Sequence, residues 1–282
     1  MLPTHFRFPH PISSSLALPL GRAAARHARR GRLGAAALTI LTLLTSAALR
    51  AALPPGVTLP FTVIDCNFND QTVGRSPRPL TKAQIEARGP DPWQRPPLST
   101  YDYLEFVTPE RTATVVKAAL GLTDQPVLFT LPDNNQPDWG PRMTFEVPQA
   151  IAGSGQRWRV SFDTAINNLT QMGGMYVLAT NGRVVFDVGF FQGGSFKANA
   201  ATEVGTYQAG VSLHVDILAD TASNTFTVTL NHNAANAAVL PWSRADGSNL
   251  GALVFNGLLP GGRAWPGQVA YDNIKLVLEA AL

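Results

Sequence analysis

Cysteine occurs once in the 282 residues, as Cys66, so no disulfide can form within the chain. Lysine occurs four times, and charged residues of all kinds make up only 15%. That is too little charge to clothe a set of solvent-exposed helices, while a hydrophobic share of 45% excludes a disordered chain. Catalytic signatures are missing too. There is no His-Glu-x-x-His run, no Cys/His zinc spacing and no Gly-x-Ser-x-Gly elbow; Gly153-Ser154-Gly155 lacks the spacing of the last. Acidic residues are absent from residues 1–52, which hold seven arginines and no lysine.

That last absence changes the meaning of the overall charge. The formal +3 and the pI near 9.2 invite a nucleic-acid reading. Without the first 52 residues, fifteen bases face all nineteen acids, a formal −4. An acidic remainder argues against a phosphate-binding surface and against nucleic acid as a partner.

Residues 22–32 are rich in arginine, residues 33–49 are uncharged and apolar, and small residues follow at 46–48 and 51–52. This is the order of a cleavable secretory signal peptide, so residues 1–52 read as leader and the mature protein as secreted, periplasmic or extracellular. At 17 residues, interrupted by Gly and Thr, the apolar run is short for a membrane span of about 20 residues. No stretch of residues 53–282 approaches that length, so no span is expected after cleavage.

Glycine (24) and proline (22) are plentiful, and the charged helix formers lysine and glutamate are scarce, so the remainder reads as all-β. Residues 53–60 form a linker, residues 61–68 a first strand, and the proline-rich residues 70–100 a long loop. From about residue 101 apolar and polar residues alternate. Trp158, Val160 and Phe162, then Val184, Phe186 and Val188, then Val211, Leu213, Val215 and Ile217, then Phe226, Val228 and Leu230 each mark a half-buried strand. Asn181-Gly182 marks a hairpin. Twelve to fourteen antiparallel strands make a two-sheet sandwich, read as a single domain over residues 61–282. Cys66 and Trp158 are expected in its core.

Several short motifs resemble those of concanavalin A-like (laminin G-like) jelly rolls in secreted bacterial-type proteins. Gly210-Val-Ser-Leu-His214-Val-Asp-Ile-Leu-Ala-Asp220 and Asn224-Thr-Phe-Thr-Val-Thr-Leu-Asn231 resemble a strand, turn and strand common there, although Leu213 stands where tryptophan is usual. Asp65-Cys-Asn-Phe-Asn-Asp-Gln-Thr-Val-Gly74 resembles the opening of such domains, and Val269-Ala-Tyr-Asp-Asn-Ile-Lys-Leu276 their closing strand. Galactose-binding-type modules share similar ends. The resemblance implies a jelly-roll sandwich whose first and last strands lie side by side, and often glycan or cell-surface binding. Glycosidases of that fold carry a Glu-x-Asp-x-x-Glu strand; none occurs here, and Asp187 stands alone on the strand nearest in character.

Two sets of residues are candidates for binding. Trp93, Trp139, Trp242 and Trp265 lie beside proline or glycine, and a flat ring on a rigid loop can stack on a sugar. Period two from Ile274, Leu276 and Leu278 puts Asp272 toward the core, where a carboxylate needs a partner. The resemblance implies a structural Ca²⁺ near the opening and closing strands, with Asp65, Asn67, Asp70 and Asp272 as oxygen ligands. His214 and His232, on adjacent strands, read as surface residues. The leading expectation is a secreted, non-catalytic sandwich that binds a glycan or a cell-surface ligand. The alternatives are a polysaccharide lyase or hydrolase, whose sheet face would hold two carboxylates or an Arg/His/Tyr group, and a structural or adhesive surface protein.

Overall fold

Residues 157–166 read Arg-Trp-Arg-Val-Ser-Phe-Asp-Thr-Ala-Ile, apolar at every second position from Trp158 to Phe162. A strand with that period sends alternate side chains to opposite faces of a sheet. In the computed structural model of the chain, Trp158, Val160 and Phe162 are buried while Arg157, Arg159, Ser161 and Asp163 are half-buried. The structure describes residues 58–79, 102–105, 107, 111–131, 140–147, 156–169, 173–234, 237–244, 249–257 and 267–280.

Fifteen strands occur among these residues. They are β1 (Phe61–Cys66), β2 (Tyr103–Glu105), β3 (Thr112–Val115), β4 (Val127–Leu131), β5 (Arg142–Glu146), β6 (Arg157–Ile166), β7 (Gly173–Ala179) and β8 (Val184–Phe191). After them come β9 (Ser195–Ala198), β10 (Thr202–Thr206), β11 (Leu213–Asp220), β12 (Thr225–Leu230), β13 (Ala238–Pro241), β14 (Leu250–Asn256) and β15 (Gly267–Glu279). This exceeds the twelve to fourteen that the alternation indicates, because strands as short as β2 hold too few residues to show a period. Val211 also falls outside: β11 begins at Leu213, and Val211 is exposed.

The strands form two antiparallel sheets. The first runs β13-β12-β11-β6-β15-β4-β3, with β1 also paired to β15; the second runs β10-β9-β8-β7-β14-β5-β2. The first and last strands are thus neighbours, with Cys66 opposite Ile274 and Phe61 opposite Leu278. The inner faces share one apolar core in which Phe162, Phe255 and Tyr271 meet, and Cys66 and Trp158 are buried in it. Edge-to-face contacts dominate, as ring quadrupoles favour; Phe162 and Phe255 lie 5.1 Å apart at 85°. Tyr271 is a polar tie across the layers. From the first sheet its hydroxyl reaches the backbone carbonyls of Asn256 (2.7 Å) and Gly174 (2.9 Å) in the second.

One irregularity in β15 matters for the surface. Tyr271 and Ile274 both face the core, three residues apart, because the register against β6 shifts between Asp272 and Lys275 and Asn273 adopts φ +49°. This bulge reverses the alternation, so Asp272 pairs with Asp163 on the outer side of the first sheet. Period two counted back from Ile274 puts Asp272 on the inner side; the bulge overturns that. It is buried all the same, 1% exposed, where the far edge of β15 changes partner from β4 to β1.

Candidate functional site

Cross-strand registers align residues into rows over the outer face of the second sheet. Starting from β2, one row reads Glu105, Arg142, Asn256, Gly174, Gly189, Lys197 and Glu203, each opposite the next. The adjacent row holds Thr144, Val254, Tyr176 and Asp187. Opposite charges close both ends of the first row, and its middle is an amide and a pair of glycines. At about 4.8 Å per strand, Arg142 and Lys197 lie roughly 19 Å apart across this strip. A side chain at Gly174 is excluded, since its Cβ would lie 2.2 Å from the Val188 carbonyl oxygen. Tyr176 follows Gly174 by two residues on one side, and Phe191 follows Gly189 by two on the other.

The polar groups of the strip are tied together. Arg142 donates from Nε to Glu105 Oε2 (2.8 Å), again to that oxygen from Nη2, and from Nη1 to the Tyr176 hydroxyl (3.3 Å). Tyr176 is only 4% exposed although it lies outside the inter-sheet core. Burial pushes its phenol above the usual value, and the Arg142 charge offsets this only in part. Burial also raises the Asp187 carboxyl, against the Ala200 amide that donates to it. Lys197 sits over the Phe191 ring, 5.5 Å from its centre, and Ser195 donates to Glu203 (2.7 Å). Glu105 keeps more contact with water, its side chain 42% exposed.

A second polar group lies on the outer face of the first sheet. His214 Nδ1 is 2.7 Å from Asp163 Oδ1, and the other oxygen of Asp163 accepts from Asn273 Nδ2 (2.7 Å). The His232 ring lies against that of His214, centres 4.2 Å apart. Asp272 is opposite Asp163, and burial, with the charges of Asp124 and Asp163, raises its carboxyl to about 7 against the Asn273 amide that donates to it.

The residues singled out from sequence are scattered. Trp93, Trp139 and Trp265 lie outside the described residues. Trp242 is 8% exposed and packed in the core just after β13, its indole N–H donating to the Thr225 carbonyl (3.2 Å). A ring so placed offers no face to a sugar; Pro241 closes β13 as its edge-strand residue, and the chain then turns the tryptophan under the sheet. Asp65 is exposed with Lys275 Nζ at 3.9 Å, Asn67 accepts from the Asn69 amide (3.2 Å), and Asp70 accepts from Gln71 (3.1 Å). With Asp272 they surround the buried Cys66, whose thiol burial and these three carboxylates raise. Among the described residues, however, no three His, Cys, Asp or Glu side chains converge on a point where a metal ion could sit, so Asp65, Asp70 and Asp272 do not meet. As placed, these four residues do not form the oxygen cage that calcium takes. Sequence reasoning missed Arg142, Tyr176 and Asn256 because each looks ordinary within its own strand. Only the registers of β2, β5, β14 and β7 bring them together.

No family model and no curated protein matches the chain. Similar solved structures include a sialidase, with TM-score 0.46 and 13% identity over 61% of this chain, which spans 16% of that one. They also include the cellulose-induced protein Cip1, with TM-score 0.42 and 10% identity over 61% of this chain and 89% of the other. A carbohydrate esterase of the Shiga toxin-encoding bacteriophage phi24B gives TM-score 0.46 and 11% identity over 64% and 91%. Likeness at this level concerns the sandwich architecture and assigns no residue a role.

Proposed function

We propose that the protein binds carbohydrate, without catalysis, on the outer face of its second sheet. The observation that carries this reading is the strip from Glu105–Arg142 to Lys197–Glu203, with Asn256 and two glycines between and Tyr176 and Phe191 beside them. Sugar hydroxyls are read by fixed donors and acceptors such as Arg142 and Glu105 at the open end of the strip. Tyr176 and Phe191, 4% and 9% exposed, brace the polar groups of the strip from beneath and offer no ring face themselves. The strip is long enough for a few sugar units, and the opposite charges at both ends suit a neutral glycan better than a polyanion.

The lyase alternative needs an arginine and a tyrosine that work on a proton, and this face does hold such a pair. Arg142 is engaged by Glu105, though, and burial favours the protonated form of Tyr176, whose hydroxyl accepts from Arg142 and is not a ready base. The pair therefore supports binding better than proton abstraction. A panel of neutral and acidic polysaccharides tested with the wild type, Arg142→Ala and Tyr176→Phe checks the proposal. Binding to a neutral glycan that falls at least tenfold in both variants supports it. Binding that is equal in all three proteins, or no binding to any glycan, overturns it.

A further inference from the structure

We propose that His214 and His232 form a surface site for a divalent transition-metal ion of the kind that imidazole prefers, with Zn²⁺ as the test ion. The site lies on the first sheet, apart from the strip proposed for sugar. His214 stands on β11 opposite Asp163 of β6, and its Nδ1 lies 2.7 Å from the carboxylate. An ionised carboxylate only accepts, so the contact places a proton on Nδ1, and in the neutral ring the lone pair is then on Nε2. A carboxylate behind a histidine is the support that fixes a metal-binding imidazole in its tautomer and orientation. Asp163 is itself held, accepting from Asn273 Nδ2 at 2.7 Å, and Asn273 can reach it because the bulge of β15 turns the chain there at φ +49°.

The second imidazole is brought up by the turn after β12. Asn231 and His232 both adopt positive φ, +49° and +59°, a conformation that non-glycine residues rarely take in succession. The turn is fastened to His214 itself. The Asn231 amide donates to the His214 carbonyl (2.8 Å), and the His214 amide donates to Asn231 Oδ1 (2.9 Å). The His232 ring then lies 4.2 Å from that of His214 and tilted by 31°. Zinc binds nitrogen at about 2.0–2.1 Å, so a tetrahedral ion spans nitrogens roughly 3.3 Å apart. His232 is exposed, and binding an ion between the two rings requires it to turn away from its present contact with His214. Imidazole suits Zn²⁺, Ni²⁺ and Cu²⁺ and is a poor partner for Ca²⁺ or Mg²⁺. With two protein ligands the remaining positions go to water, which makes an open site rather than a closed structural one.

Equilibrium dialysis of the full chain against Zn²⁺ and against Mg²⁺ tests this, alongside His214→Ala, His232→Ala, their combination and Asp163→Asn. His5, His10 and His27 are common to all five proteins and cancel in the comparison. The expected result is one zinc ion more per wild-type chain than per double variant, no such difference with Mg²⁺, and at least a tenfold weaker affinity in each single histidine variant. Asp163 is a positioning residue, so Asp163→Asn should bind the same single ion about tenfold more weakly, within the range seen for lost outer-shell partners. Circular dichroism of each variant separates loss of the site from loss of the fold. Folded variants that take up zinc as the wild type does, or a wild type with no zinc beyond the double variant, overturn the proposal.

Discussion

Asp272→Asn should stabilise the protein at alkaline pH and not at acid pH. The carboxyl of Asp272 is raised from 3.8 to about 7, first by burial and then by the charges of Asp124 and Asp163. In the unfolded chain it ionises near the usual value, so below about pH 4 both states carry the proton and the group is neutral in its effect. As pH rises from 4 to 7 the unfolded chain releases a proton that the folded one keeps, which favours unfolding. Stability is therefore lost progressively up to about pH 7 and the loss is then complete. At about 1.36 kcal/mol per pH unit, the loss is on the order of 1.5 kcal/mol at pH 5 and 4 kcal/mol at pH 8. Asparagine carries no charge at any of these values, and its side-chain oxygen still accepts from the Asn273 amide as Asp272 Oδ1 does at 2.8 Å. Urea unfolding of both proteins at pH 5 and pH 8 measures the effect. The gain from the substitution should be larger at pH 8 by roughly 2 kcal/mol or more. A difference between the two proteins that is the same at both pH values would refute the burial argument, whatever its sign.

Other perturbations test the packing and the site directly. Trp242→Ala should cost about 3 kcal/mol in urea unfolding, as expected of a large aromatic removed from a core; a cost below 1 kcal/mol would place that ring at the surface. Tyr271→Phe leaves buried carbonyls of Asn256 and Gly174 short of a donor and should cost about 1–3 kcal/mol by the same assay, with the fold retained. Gly174→Ala puts a methyl group 2.2 Å from the Val188 carbonyl and should lower stability by about 1–3 kcal/mol in thermal unfolding, since backbone must move to accept it.

The sandwich was legible in the sequence because its signal is local. Alternation at Trp158–Phe162 and at Phe226–Leu230 states which face is buried, and Asn181-Gly182 states where one hairpin turns. The pairing of the opening and closing motifs could be anticipated only through their resemblance to known domains. Asp272 lies on the face opposite to the one its period predicts for a physical reason: a bulge costs one residue of register, and Asp-Asn at 272–273 gives little warning of it. Trp242 looked like a loop residue because Pro241 precedes it, whereas burial depends on where the chain turns after an edge strand. Arg142, Asn256, Gly174 and Tyr176 are separated by up to 114 positions in sequence, and no spacing rule joins residues whose proximity depends on strand order.

The measurement closest to the central proposal is isothermal titration of a neutral oligosaccharide, drawn from the polysaccharide panel, into the wild type and into Arg142→Ala. Saturable binding by the wild type, weakened at least tenfold in a variant that keeps its circular dichroism spectrum, is the predicted result. Equal affinity in the two proteins would contradict it and move any sugar site away from the second sheet.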